Sequence, residues 1–338
     1  MEMKKKVTIN DIAREAGVSK STVYRALSEG VKNVEKDTLM KVLEKAKELG
    51  YGSTRSSRKQ TKTIGIVVPE LFTITNTQFI SFAQDLLHQK GYRTMLFPSN
   101  ENPEIEKDNL EMIGKNQVAG MLISACHPSQ NKAVYKDLQK SGIPLVFFDR
   151  TIDDFPASKI KTDNYGNACV LLEYLIRLEK KHIVLLNGSS SDSNTQELTR
   201  AYKDVTAKHQ CPVNAEYILS VGADFEDGEK GMEDFMKKQL PFDAVFGFSE
   251  KAAIGTMNLL QKFHYAIPEE VAVCCLGSNA LSTLVQPALT TIEQPTAQMA
   301  EKSVELLLEK LENPDIPDKE IVLESKIIIR GATEKNKK

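Results

Sequence analysis

Lys20, Ser21, Tyr24, Arg25 and Ser28 stand at intervals of one, three and four residues, so an α-helix would carry them on one face. Their chemistry is that of nucleic-acid contact. A guanidinium pairs both acceptors of a guanine edge, while hydroxyl and ammonium groups hold phosphates. Other reactive residue types are scattered. His88, His127, His182, His209 and His264 stand singly, without metal-ligand spacing. Cys126, Cys169, Cys211, Cys274 and Cys275 are odd in number and form no CxxC, which points to a reduced, intracellular protein. Cys274-Cys275 lies inside an apolar run, where packing is the expected role. Ser56-Ser57-Arg58-Lys59 fits SxxK, but no supporting motif surrounds it. No HExxH, GxGxxG, phosphate-binding P-loop or GxSxG occurs. The sequence therefore predicts no catalytic residue, no metal and no cofactor.

Three helices would position the outward face. Thr8 or Asn10 can cap the first, with Asp11 in its first turn, where the helix dipole favours a negative charge. Ile12, Ala13 and Ala16 form its apolar stripe, and Gly17 ends it. Ser19 starts a second helix with Val23, Ala26 and Leu27 inward. A third runs from about Asp37 to Gly50 on Leu39, Val42, Leu43, Ala46 and Leu49. Two short helices joined by A-G-V-S, then a third, describe a helix-turn-helix unit.

Charge divides the chain at the same place. Residues 1–62 hold 15 Lys and Arg against 8 Asp and Glu, a net of +7. That leaves −9 on the rest of a 338-residue chain whose net charge is −2. A basic head on an acidic body predicts that the head binds a polyanion. Hydrophobic residues at 41% and charged residues at 27% exclude a disordered or collagen-like chain. Apolar runs such as Ile64–Val68 fall far short of the roughly 18 residues that cross a bilayer. The basic start, Met1–Lys6, has no apolar stretch behind it, so no signal peptide and a cytoplasmic location are expected.

The run V-T-I-N-D-I-A-R-E-A-G-V-S-K-S-T-V-Y-R-A-L-S from Val7, with L-E-K-A-K-E-L-G-Y at 43–51, resembles the DNA-binding head of the lactose-repressor (LacI/GalR-type) family of bacterial regulators. By that resemblance Lys20 and Ser21 carry specificity and Arg25 reads guanine. Thr8, Ser19 and Ser28 match phosphate-holding positions. Tyr24 departs from the usual serine, and Glu35 replaces a serine before the third helix. The linker departs further. Where the family has a hinge helix whose leucine wedges into the minor groove, residues 52–62 hold only glycine, hydroxyl, amide and cationic residues. A wedge needs an apolar side chain. Arg55, Arg58 and Lys59 can still follow phosphates or enter a narrow minor groove.

Beyond Thr63, apolar runs alternate with amphipathic stretches. Strands are expected at 63–69, 92–98, 118–124, 145–149, 182–187, 217–221, 244–248 and 271–276. This alternation predicts an α/β body of parallel, doubly wound sheets, too long for a single sheet. The resemblance continues through I-G-I-V-V-P at 64–69, G-I-P-L-V-F-F-D-R at 142–150, T-D-N at 162–164, P-A-L-T-T-I-E-Q-P at 287–295 and I-I-I-R-G-A-T at 327–333. It implies a periplasmic-binding-protein-like effector domain of two lobes that exchange strands near Asp163, Thr291 and Leu323. The expected organisation is a head at 1–51, a basic hinge at 52–62, and an effector and dimerisation domain at 63–338. The first lobe would take about 63–163 plus 292–322, and the second about 164–291 plus 323–333.

Such sheets bind ligands outside their C-terminal strand ends. Asp149 ends a strand there, facing the cleft or holding a neighbouring loop. His127 follows another strand. The family's sugar-holding arginine and aspartate fall on Leu198 and Gly277, so either the effector is atypical for the family or the polar contacts come from Arg150, Arg200, Ser249, Glu250, Ser278 or Asn279. Helix capping is the competing role for Ser249 and Glu250. The resemblance implies a homodimeric, DNA-binding transcriptional regulator, by family default a repressor. Its partners would be a near-palindromic operator and a small-molecule effector, carbohydrate or related metabolite. A protein co-repressor is the alternative, and a sugar-modifying enzyme with a DNA-binding head the remote one. The C-terminal Glu334–Lys338 lacks a leucine heptad, so no tetramerising tail is expected.

Overall fold

The computed structural model describes residues 8–27, 35–49, 61–113, 117–127, 129–188, 193–277 and 281–334. The chain divides into two compact units, Met1–Thr61 and Lys62–Lys338.

The first unit holds α1 (Ile9–Ala16), α2 (Lys20–Leu27) and α3 (Lys36–Glu48). Thr8 caps α1. Its N–H and hydroxyl both donate to the Asp11 carboxylate, at 2.8 and 2.7 Å. Gly17, at φ 65°, ends the helix in the left-handed region that glycine adopts without strain. Ser19 opens α2, its hydroxyl oxygen accepting from the Thr22 N–H at 3.2 Å. Ile12, Ala13, Ala16, Val23, Ala26, Val42 and Ala46 make the core of this unit.

The second unit begins with β1 (Thr63–Val68), α4 (Ile74–Gln89), β2 (Arg93–Pro98), α5 (Pro103–Ile113), β3 (Gly120–Ile123), α6 (Lys132–Lys140), β4 (Leu145–Phe148) and β5 (Ser158–Thr162). It continues with α7 (Asn164–Arg177), β6 (Ile183–Asn187), α8 (Ser193–Lys208), β7 (Ile218–Ser220), α9 (Phe225–Met236), β8 (Ala244–Gly247), α10 (Glu250–Lys262), β9 (Ala272–Leu276), α11 (Leu281–Leu284) and β10 (Thr290–Glu293). It closes with α12 (Thr296–Glu312), β11 (Glu320–Leu323) and β12 (Lys326–Ile328).

The strands form two six-stranded sheets, ordered β11-β5-β4-β3-β1-β2 and β12-β10-β9-β8-β6-β7. All pairings are parallel except β10 with β12. Each sheet is built outward in two directions from its first strand, so the order reverses between β1 and β3 and again between β6 and β8. The expected doubly wound α/β body is what the chain forms. The apolar strands β1, β3, β4, β6 and β8 are almost wholly buried, as a parallel sheet covered on both faces requires.

The exchange points expected near Thr291 and Leu323 fall within about two residues of them. Ile292 pairs with Leu276, so β10 stays in the second sheet through Glu293 and the chain crosses just after it. Leu323 pairs with Thr162, so it belongs to the first sheet and the last crossing falls at Glu324-Ser325. Strands β5, β10, β11 and β12 lack the apolar pattern that marked the others. Thr290 and Thr291 are fully buried in β10, with hydroxyls satisfied by Thr333 and Arg330. Val304 and Leu307 of α12 are buried against α4 in the first lobe, with Leu308 and Leu311 packed alongside, so core packing explains that stripe.

Helices α9 and α10 touch through two glycines. A Cβ at Gly228 would overlap the Ala252 carbonyl oxygen, and one at Gly255 the Phe225 carbonyl oxygen. Backbone cannot yield as a flexible side chain can, so the helices must separate. Gly255→Ala should lower unfolding stability by about 1–3 kcal/mol, and chemical denaturation of the purified chain measures it.

Candidate nucleic-acid interface and ligand crevice

Helix α2 turns Val23 and Ala26 into the core of the head. Lys20, Ser21, Tyr24 and Arg25 are consequently exposed, Tyr24 by 64%. The Arg25 Nε donates to the Ser21 carbonyl at 3.2 Å, which lays the guanidinium along the outer face of the helix. Ser19, Ser21 and Thr22 share a hydroxyl cluster at the helix N-terminus, with O···O separations of 2.8 Å. Exposed hydroxyls at a positive helix end are placed to meet an anion. Thr8 stands at the start of α1 as its cap. Glu35 is exposed before α3, and its carbonyl accepts from the Leu39 N–H. Ser28, Arg55, Arg58 and Lys59 lie outside the described residues.

In the body, the C-terminal strand ends beside the two reversal points define the place for a ligand. Around the first sheet, Asp149 leaves β4 at φ 55°. Its N–H donates to the Ile160 carbonyl at 2.9 Å. Arg150 pairs with Glu101 at 2.9 Å. The Nδ1 of His127 accepts from the Ser129 N–H at 3.2 Å.

Around the second sheet, Ser249 caps α10 and donates to the Ala223 carbonyl at 2.7 Å. Glu250 is buried and accepts from the Ser282 N–H, at 2.8 Å, and from its hydroxyl. Asp163 caps α7, accepting from the Gly166 N–H at 2.8 Å. Arg150, Ser249 and Glu250 thus each hold their own lobe together. Leu198, where the resemblance anticipates an arginine, is buried in the second lobe's core. Gly277 sits at φ 80°. Ser278 and Asn279 lie outside the described residues.

Arg200 is placed differently. Its guanidinium lies 4.2 Å from the centroid of the Tyr165 ring, and the Tyr165 hydroxyl donates to Asp204 at 2.9 Å. It lines an open groove of about 500 Å³ along α8 and β7, together with Asn187, Thr195, Thr199, Lys203 and Ser220.

Two residues escaped the sequence reading. Glu106 of α5 is fully buried, yet no cation pairs with it among the described residues. It accepts from the Cys126 N–H at 2.7 Å, the Asn131 amide at 3.0 Å and the Tyr135 hydroxyl at 2.7 Å. These three donors fix the segment that carries His127. The acid and its donors are 20 to 29 residues apart, so no local pattern announces them. Ser124, at the end of β3, is fully buried, and its hydroxyl has no partner among the described residues. A serine closing an apolar strand beside a reversal point is a signal the sequence does contain.

Burial pushes the Cys126 thiol up to about 11 and raises Cys274 and Cys275 further. None offers a thiolate for nucleophilic work. Among the described residues no cluster of His, Cys, Asp and Glu could hold a metal, and no helix is long and apolar enough to cross a membrane.

Residues 8–53 match the model of bacterial regulatory proteins of the lacI family, and 172–333 match a periplasmic binding protein-like domain. Catabolite control protein A of Staphylococcus xylosus is 26% identical over 332 residues, spanning 97% of this chain and 99% of that protein. The lac repressor dimer bound to operator and the anti-inducer ONPF shares the fold, with TM-score 0.73, 20% identity, and coverage of 97% and 99%. So does the transcriptional regulator CelR in its cellobiose complex, with TM-score 0.74, 21% identity, and coverage of 97% and 100%.

Removing the Glu106 carboxylate leaves the buried Tyr135 hydroxyl and the Cys126 N–H unsatisfied, while the Asn131 amide keeps the Pro103 carbonyl. Glu106→Ala should therefore cost about 1–3 kcal/mol of stability while the head stays folded. A thermal melt together with helix-resolved hydrogen exchange would detect both parts.

Proposed function

We propose that the chain is a member of the lacI family of bacterial regulatory proteins, a cytoplasmic repressor whose hold on its operator is set by a small molecule bound between the lobes. The observation that carries this reading is the outward face of α2, where Lys20, Ser21, Tyr24 and Arg25 stand clear of the head's core. A recognition helix must present such side chains to base edges in the major groove. Arg25 is assigned to guanine, Lys20 and Ser21 to neighbouring bases, and the Ser19 hydroxyl to phosphate.

Two heads on two half-sites require a dimer. The edge of the first sheet supports one. Met95 and Leu96 on β2, Phe82 on α4 and Met112 on α5 are all exposed apolar side chains of that lobe. Patches of this kind mark association surfaces.

The effector reading rests on the crevice at the reversal points, with Ser124 and Asp149 as candidate contacts, and on the neighbouring groove that holds Arg200. Several polar groups there already have partners within their own lobe, so the effector differs from those held by the family's usual arginine and aspartate. Its class is carbohydrate or a related metabolite. Binding favours one lobe arrangement and changes operator affinity by a coupling of typically about 1–3 kcal/mol, reciprocal between the two sites. The work assigned to these residues is binding, and no catalytic step is assigned.

Arg25→Ala should abolish selectivity between operator and random duplex while leaving effector binding intact. Competition binding of both proteins to a duplex selected from a random pool tests this, and retained selectivity would remove α2 from the groove. A thermal-melt panel of sugars, sugar acids, sugar phosphates, nucleobases and amino acids identifies the effector class. A ligand at about 100 times its Kd adds roughly 2.7 kcal/mol to the folded state. A flat panel on a DNA-binding chain turns the reading toward a protein co-repressor. Because residues 52–62 offer no apolar wedge, circular-permutation bending on the selected duplex should show no sharp central kink.

A further inference from the structure

We infer that Tyr24 is a specificity residue that reads the 5-methyl group of a thymine next to the guanine contacted by Arg25. This rests on the reading of α2 as the recognition helix.

Tyr24 stands outside the head's hydrophobic core. The core there is Ile12, Ala13, Ala16, Val23, Ala26, Val42 and Ala46, with Ile9, Val18, Leu27, Leu39 and Leu49 packed on it. The ring is instead exposed on the face it shares with Lys20, Ser21 and Arg25. On a helix of 3.6 residues per turn, Lys20 and Tyr24 stack one turn apart, as do Ser21 and Arg25. Tyr24 and Arg25 therefore flank Ser21 on its two sides. Their attachment points differ by 1.5 Å along the axis, which keeps both within one or two base-pair steps. The Nε–Ser21 bond holds the arginine on its own side and leaves the phenol the other.

The chemistry then selects the partner. A phenol carries no positive charge, so it adds nothing to long-range attraction for phosphate. A hydroxyl alone would suffice for a phosphate bond, and serine supplies that with one carbon. The aromatic ring is what tyrosine adds, and it is apolar. The thymine methyl is the distinctive apolar feature among the major-groove base edges. Burying one such group is worth about 0.8 kcal/mol, a fold-change of about four.

The test uses the full-length chain and a duplex selected by it from a random pool. Each thymine of a half-site is replaced in turn by deoxyuridine, which deletes only the methyl and keeps the base pair. The wild type should lose affinity about four-fold at one thymine, within two steps of the guanine protected by Arg25. Tyr24→Phe, which keeps the ring, should show the same loss. Tyr24→Ala should be indifferent to that substitution. Equal loss in the wild type and Tyr24→Ala would overturn the assignment. So would a uniform weakening of Tyr24→Phe on all duplexes, which would make the hydroxyl a phosphate contact. If the pool yields no preferred sequence at all, the recognition-helix reading itself falls, a result separable from either of these.

Discussion

The body is constrained above all by where the chain changes sheets. It does so three times, and all three places lie beside the same strands. Strand β5 ends in the first sheet and α7 begins the second lobe at the next two residues. Strand β10 closes the second lobe before α12 returns to pack on α4. Strand β11 pairs with β5, and after two residues β12 pairs with β10. The last crossing is itself held, since the Asn167 amide donates to the Ser325 hydroxyl at 3.0 Å. Parallel sheets buried on both faces resist internal deformation. Any change of lobe arrangement must therefore be absorbed at these crossings.

That division explains how polar groups are used within each lobe. Buried or half-buried carboxylates are satisfied by N–H and O–H donors more than by cations. Glu106 gathers three donors, Glu250 takes two from Ser282, and Asp243 accepts from the backbone N–H groups of Lys181 and His182. Each acid ties a loop to its own lobe. Hydrogen bonds to a charged acceptor are among the stronger ones available to a protein, so these acids fix loops at both ends of the sheets. Ser124 stands against this background, a buried hydroxyl at a reversal point whose bonding capacity is unused among the described residues.

What could be read from the sequence follows from how local each signal is. The head was legible because capping, apolar stripe and stop residue all fall within a few positions, as in Thr8, Asp11 and Gly17 of α1. Strands β1, β3, β4, β6, β8 and β9 were legible because burial on both faces makes them apolar runs, and the edge strands β2 and β7 because they still carry apolar residues beside a helix. Strand β10 was not, since its core positions are threonines whose partners lie about 40 residues on. Candidate site residues failed to sort for the same reason. Arg150 finds Glu101 across 49 positions, and Ser249 finds the Ala223 carbonyl across 26. A motif states which residue is present, but only the fold states whether its polar atoms are already engaged.

Coupling between the lobes need not run through the ligand alone. Glu197 on α8 of the second lobe feels Lys161 on β5 of the first, and burial still pushes its carboxyl upward. Lys161 is meanwhile held by Glu320 of β11 at 2.9 Å and lies 3.7 Å from Asp153. Glu320 and Asp153 belong to the same lobe as Lys161, so Glu197 reaches across the lobes toward a cation that acids of its own lobe already hold. That contact is shallow, because a lobe rotation that loses Glu197 leaves Lys161 paired within its own lobe. A ligand shifts an equilibrium only by its differential affinity for the two states. A shallow contact between lobes is the condition under which the modest differential affinity of a small metabolite is enough to decide which state prevails.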